Sequence, residues 1–230
     1  MKFLTDLAID ARYNVLRDYS SQEWVYCRLL ERELTDLGIQ NDFLPVKGAS
    51  NYSLLYLLAS LIREMRPKRV LELGCGQSTI LISRICHKLK IETFVSLDAD
   101  ADWASRIAML APNANIHALP LTQRRFLGRT FMGFDPSSLK GSKFDFMLVD
   151  GPFGQRILSR FTAVEIAAAH LDEEFIVVFD DAERFGERRT IRKFEAMLRA
   201  RDRKIWRSTT RSHKWQVVLA SGVNSVSVFM

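Results

Sequence analysis

Cysteine is scarce and scattered in this chain. Cys27, Cys75 and Cys86 are its only three in 230 residues. The count is odd and no two stand as CxxC, which argues against a disulfide framework or a zinc site and suits a reducing compartment. Long apolar runs are missing as well. The greasiest segment, Ser53 to Ile62 (SLLYLLASLI), is about half of the roughly 20 residues that a bilayer-spanning helix needs. The first residues, MKFLTDLAID, place Asp6 and Asp10 where a secretion signal needs an unbroken apolar stretch. There are no internal repeats, no low-complexity tracts and no RNA- or DNA-binding motif with interleaved aromatics. These absences lead us to expect a soluble cytoplasmic protein without a membrane span and without a nucleic-acid partner.

The chain is 47% hydrophobic and 26% charged, the balance of a globular protein that can bury a sizeable core without staples. Net charge is +6, with much of the excess late, in RRTIRK and RARDRKIWR. Helical spacing of Ile191, Phe194, Met197 and Leu198 turns one face of that segment inward. The basic face outside is either simply solvated or an attractor for an acidic substrate or anionic surface.

Along the chain, residues 1 to 47 read as a helical extension. Leu4, Leu7, Ala8 and Ala11 recur at helical intervals, then Trp24, Leu29, Leu30, Leu34 and Leu37, with Gly38 as a stop. Residues 48 to 230 read as the main domain. A helix across Tyr52 to Arg66 ends at Pro67, and strands and helices then alternate. Strands are expected at 69–73, 93–97, 115–119, 144–149 and 175–179, and helices at 80–89, 101–110, 160–170 and 187–201. Two late strands, 205–209 and 216–220, have no helix between them and suggest a hairpin. The pattern predicts an α/β, doubly wound, Rossmann-like sheet of seven strands, mostly parallel, with a C-terminal antiparallel hairpin and N-terminal helices. Residues 122–143 are read as an irregular, basic stretch containing Arg124, Arg125 and Arg129.

In such sheets ligands bind at the carboxyl ends of the strands. The first strand and its turn read VLELGCGQST, residues 70 to 79. Gly74 and Gly76 permit a tight turn and close approach of a ligand to the backbone. Asp98 ends the next strand, where a carboxylate can take both hydroxyls of a ribose. The third glycine of a dinucleotide fingerprint is Thr79 instead, which departs from the NAD pattern. The E-x-G-x-G match, with an acidic residue ending strand two, resembles the class I S-adenosylmethionine-dependent methyltransferases. The resemblance implies that Gly74 and Gly76 pass under the methionine part of that cofactor, that Asp98 holds its ribose, and that Glu72, Gln77 and Ser78 border its methionine end. Trp103 either flanks the adenine or packs into its helix.

The fourth strand ends in Asp150 and the fifth in Asp180 and Asp181. In this fold those strands lie beside the first, so the three carboxylates should converge. Three carboxylates in one pocket need a cation, protons or strong donors to coexist, and hard oxygen ligands suit Mg²⁺ or Mn²⁺. The positions resemble the metal-dependent O-methyltransferases of the catechol, caffeoyl-CoA and macrolide-sugar type, which implies Asp150, Asp180 and Asp181 as metal ligands. VDGPFG, SRFTAVEIA and FDDAERFGE also follow the motif order of the glucuronoxylan-type O-methyltransferases, which methylate a uronic acid. That second resemblance implies that Arg184 contacts a sugar carboxylate, although Asp180 stands where that pattern has His. Arg184 and Glu187 could instead form an ion pair at a helix start, and one aspartate could cap that helix.

The expectation is an O-methyltransferase acting on a sugar hydroxyl, with Asp150, Asp181 or His213 managing the acceptor's proton, or a divalent ion doing so. A catechol or phenolic acceptor, a binding module without catalysis, and a dinucleotide-dependent dehydrogenase are the alternatives. His117, at the tip of strand three, either packs or stacks on adenine. The N-terminal helices either cover the acceptor site or form a homodimer.

Overall fold

A computed structural model describes residues 20–45, 50–139, 141–153 and 157–229. Two helices come first, α1 (Ser20–Leu37) and α2 (Tyr52–Met65), followed by strand β1 (Arg69–Leu73) and helix α3 (Gln77–Leu89). Then come β2 (Thr93–Asp98), α4 (Ala101–Leu110), β3 (Asn115–Ala118), β4 (Thr122–Phe126), β5 (Arg129–Gly133), β6 (Phe144–Val149) and α5 (Thr162–His170). The chain continues through β7 (Leu171–Phe179), α6 (Phe185–Arg199), β8 (Trp206–Arg211) and β9 (Trp215–Ala220). The expected helix carrying Leu4, Leu7, Ala8 and Ala11, and the expected boundary at residues 47 and 48, lie outside the described residues. No helix among the described residues is long and apolar enough to cross a membrane.

One sheet runs in the order β3-β2-β1-β6-β7-β9-β8. Its first five strands are parallel, and β9 runs antiparallel to both β7 and β8. The seven-stranded sheet with its terminal hairpin is therefore as the pattern predicts. Residues 122–133 differ from expectation: they form a second, two-stranded antiparallel sheet, β4 with β5, rather than an irregular stretch. Leu127 and Gly128 make its turn, both at positive φ (48° and 69°).

Alternate residues of each central strand feed two cores, as the period of two demands. Leu71, Met147, Val177 and Val217 face α5 and α6, packing with Ile166, Phe194 and Leu198. Val70, Phe146, Val178 and Val218 face α1, α2 and α3, packing with Leu34, Leu58 and Ile82. Leu30 and Leu34 are fully buried there, so α1 shares the core of the sheet.

Register brings the strand ends level. Leu73 pairs with Leu97 and Val149, and Val149 pairs with Phe179. The ladder runs one residue further: Gly74 N donates to Leu97 O (2.7 Å), Asp150 N to Leu73 O (2.9 Å) and Asp180 N to Val149 O (3.1 Å). Gly74, Asp98, Asp150 and Asp180 consequently leave one edge of the sheet at one height.

Candidate active site

The glycine loop is locked from behind. Gly74 has φ +92°, and a Cβ there would meet Gly151 N at 2.7 Å. A Cβ on Gly151 would in turn meet Gly74 Cα at 2.5 Å. Two backbones touch at this point, and only glycine fits either side of the contact. Gly76 is different: a Cβ there would meet nothing within 4 Å, so the space over it is open to a ligand.

Glu72 is wholly buried, and its carboxylate takes hydroxyls from Ser78 (2.6 Å), Thr79 (2.6 Å) and Ser96 (2.7 Å). Thr79 Oγ1 also accepts from Gly76 N (2.8 Å). Burial pushes Glu72 up to about 7, against the pull of the three hydroxyls. Glu72 and Ser78 thus bind each other and fix the first turn of α3, which explains why that helix starts three residues earlier than its apolar period suggests. Asp98 braces the loop from the other side, accepting from Cys75 N (2.8 Å) and Asp100 N (2.9 Å). A carboxylate has about four acceptor positions, so this half-buried group keeps capacity for a ligand. Gln77 Nε2 donates to Leu44 O (3.0 Å), while its Oε1 is buried without a partner among the described residues. Trp103 is not in a helix core: it is 43% exposed, and its indole N–H donates to Cys75 O (2.8 Å) on the rim.

The three aspartates do converge: one oxygen of each lies within 4.8 Å of the others. Their surroundings were not foreseen. Buried Arg160 places Nη2 at 2.7 Å from Asp181 Oδ2 and 3.1 Å from Asp150 Oδ1. Lys214 Nζ lies 3.0 Å from Asp180 Oδ2 and 3.2 Å from Asp181 Oδ1. Gln216 Nε2 donates to Asp180 Oδ1 (2.8 Å), and Arg184 Nη2 lies 3.0 Å from Asp181 Oδ1. Burial raises the pKa of Asp181, but Arg160, Lys214 and Arg184 together outweigh it and hold the carboxyl below its ordinary range. Burial works against a charge on Lys214, yet Asp180, Asp150 and Asp181 keep its pKa above the ordinary value. Asp150 is the least engaged, and its Oδ2 takes no hydrogen bond among the described residues. Burial first, then Asp180, push it up to about 7.

Two expectations at the start of α6 need correction. Arg184 and Glu187 do not pair: Arg184 reaches back to Asp181, and buried Glu187 accepts from Ser159 Oγ (2.6 Å). Neither aspartate's side chain caps α6, whose N-cap residue is Arg184. His213 is exposed at the hairpin turn, and its neighbour Lys214 enters the cluster instead. His117 is exposed on the edge strand β3. Arg124 is held by Glu165 (2.7 Å) and Asp135 (3.3 Å), which leaves Arg125 and Arg129 as the exposed basic groups of the β4–β5 hairpin.

No protein-family model matches the sequence, and no curated protein matches it either. Solved structures do. A candidate O-methyltransferase from Klebsiella pneumoniae superposes with a TM-score of 0.54 at 18% identity, covering 94% of this chain and 97% of that one. An O-methyltransferase from Bacillus cereus, solved in complex with S-adenosylhomocysteine, gives 0.53 at 18%, covering 93% and 97%. The methyltransferase PaMTH1 of Podospora anserina, also bound to S-adenosylhomocysteine, gives 0.54 at 16%, covering 96% of each chain. The chain has the methyltransferase fold.

Within a methyltransferase fold of this kind, the aspartate cluster is the place to test for a divalent ion. Mg²⁺ bound about 2.1 Å from the oxygens of Asp180 and Asp181 that face Lys214 would lie within about 5 Å of the ammonium. At an effective dielectric constant of about 20, that repulsion is roughly 6 kcal/mol. Arg160 Nη2 bridges Asp181 Oδ2 and Asp150 Oδ1, so each of the three aspartates already faces a cation of the protein itself. With Lys214 in place the arrangement does not fit a resident metal, although buried Asp181 Oδ1 takes no hydrogen bond among the described residues and meets its cations by charge alone.

Proposed function

We propose that this chain is an S-adenosylmethionine-dependent O-methyltransferase whose acceptor is a sugar hydroxyl on an acidic glycan or its precursor. The observation that carries the reading is the position of Asp150. It leaves the sheet beside the glycine loop, with Gly151 packed against Gly74 and Oδ2 taking no hydrogen bond among the described residues. A pKa of about 7 suits a base that must take a proton near neutrality.

The loop fits the cofactor on its own features. Gly76 leaves room above it, Gln77 Oε1 has no partner among the described residues, and Asp98 retains acceptor capacity beside them. Bound there, S-adenosylmethionine supplies an electrophilic methyl group on a positively charged sulfur, which leaves as a neutral thioether. Asp150 Oδ2 accepts the acceptor's hydroxyl proton as the oxygen forms its bond to the methyl carbon. Asp180 and Asp181, pinned by Lys214 and Arg160, hold the floor of the pocket. Arg184, whose side chain is 52% exposed on the rim, offers its open guanidinium edge to a carboxylate on the acceptor. The motif order shared with glucuronoxylan-type enzymes supports that acid-bearing sugar.

The test is calorimetric binding of S-adenosylhomocysteine, followed by transfer assays with uronic-acid glycans and with catechols. Micromolar cofactor binding and methylation of the uronic acids are expected. Asp150→Asn should lose about 10²–10⁴-fold in turnover while keeping cofactor affinity. Transfer to catechols alone would move the acceptor to the phenolic class, and absence of cofactor binding would sink the reading.

A further inference from the structure

A lysine between two buried aspartates is an uncommon thing for a hairpin turn to deliver, and this hairpin is built to deliver it. Ser212 donates to Lys214 O from both its N–H (3.1 Å) and its hydroxyl (3.0 Å), which fixes the turn. Ser212 Oγ is also 2.7 Å from Ser53 Oγ, at the start of α2. Ser53 Oγ also lies 3.1 Å from Gln216 Oε1, and Gln216 Nε2 reaches Asn51 Oδ1 (3.3 Å) as well as Asp180. Asn51 Nδ2 continues to Glu23 Oε1 on α1 (2.8 Å). Residues on both flanks of Lys214 are thus anchored in a buried network that crosses from the hairpin to the N-terminal helices. A solvated surface lysine needs no such bracket.

We propose that Lys214 is the resident cation of this site: its ammonium stands between Asp180 and Asp181 where a divalent ion would otherwise sit, and methyl transfer here runs without a metal. The chemistry rests on the reading given above, while the placement of the cation rests on geometry alone. Each aspartate meets a cation at close range: Arg160, Lys214 and Arg184 lie 2.7–3.2 Å from oxygens of Asp150, Asp180 and Asp181, while Glu187 and Glu183 stand further off, 4.0 Å from Arg160 and Arg184. The side chains of Asp180 and Asp181 are 0% and 2% exposed, so their charges must be met from within. Lys214 neither takes nor gives a proton in this scheme. It is a positioning residue, holding the aspartate pair ionised and in place beside Asp150.

The experiment is a calorimetric titration of Mn²⁺ into the full chain saturated with S-adenosylhomocysteine, comparing wild type, Lys214→Ala and Lys214→Arg. Wild type and Lys214→Arg should show no saturable binding, and wild-type transfer should survive EDTA. Lys214→Ala, with its carboxylates uncovered, should bind one Mn²⁺ saturably under the same conditions. Saturable binding to wild type that Asp181→Asn abolishes overturns the proposal, and so does a folded Lys214→Ala that gains no Mn²⁺ affinity. If Lys214→Ala does not fold, the wild-type titration decides alone. Failure of S-adenosylhomocysteine to bind would remove the methyltransferase reading, while the Mn²⁺ comparison would still report on Lys214.

Discussion

At the scale of single residues, two glycines one position apart carry opposite burdens. Gly74 is fixed by the protein itself, through its positive φ and its backbone contact with Gly151. Gly76 is free of both constraints: its φ of 178° is extended backbone, and nothing approaches the position of a Cβ. Gly74→Ala should therefore cost stability. A 2.7 Å meeting of carbon with backbone cannot relax cheaply, and a melting temperature lower by about 5 °C or more is expected. Gly76→Ala should melt within about 2 °C of wild type, yet bind S-adenosylhomocysteine at least about tenfold more weakly, since its methyl group would stand in the open space. Unaltered affinity in Gly76→Ala would mean that the ligand lies elsewhere.

At the scale of elements, legibility followed the source of the constraint. Strands β1 and β6 match their expected bounds because apolar runs and turn residues mark both ends. The β4–β5 hairpin was hidden because TQRRF carries no apolar alternation and its turn places Leu127 at positive φ. The aspartates were legible as residues that end strands. Arg160 and Lys214 were not, because their roles come from tertiary placement: Arg160 lies in the SRFTAVEIA stretch, which says nothing of its reach across to Asp150 and Asp181, and Lys214 differs from His213 by one position in a turn. The need for a cation could still be inferred from three converging carboxylates, and the protein supplies it from its own chain. Helix α1 offers a further test. The expected boundary near residue 47 treats it as an extension, yet Leu30 and Leu34 lie in the sheet's core. Leu34→Ala should destabilise the whole chain by about 2–5 kcal/mol in one cooperative transition. A separate early transition that leaves the main melt unmoved would make α1 an appendage.

At the scale of the whole molecule, stability and the proposed activity should respond to pH in opposite senses. Burial, the first cause in each case, pushes Glu72, Asp150 and Glu183 up to about 7. In the unfolded chain such groups ionise near 4. Between those values the folded protein holds protons that the unfolded chain has released, so stability falls as pH rises through this window and levels off above it. Asp181 has the opposite sign: its folded pKa is depressed, so its contribution is present above the ordinary carboxylate range and is lost as pH falls below it. Ligand-free protein should consequently be most stable near pH 4, between the two effects, and still melt about 3–5 °C higher at pH 5.5 than at pH 8. Glu72→Gln should flatten that slope by removing one of the three groups. Methyl transfer needs Asp150 ionised, so kcat/KM should climb through an acid limb near pH 7, over the range where the fold grows weaker. A melting temperature that is flat or rising from pH 5.5 to 8 would show that these carboxyls are ionised at neutral pH. Asp150 would then be too weak a base for the role assigned to it.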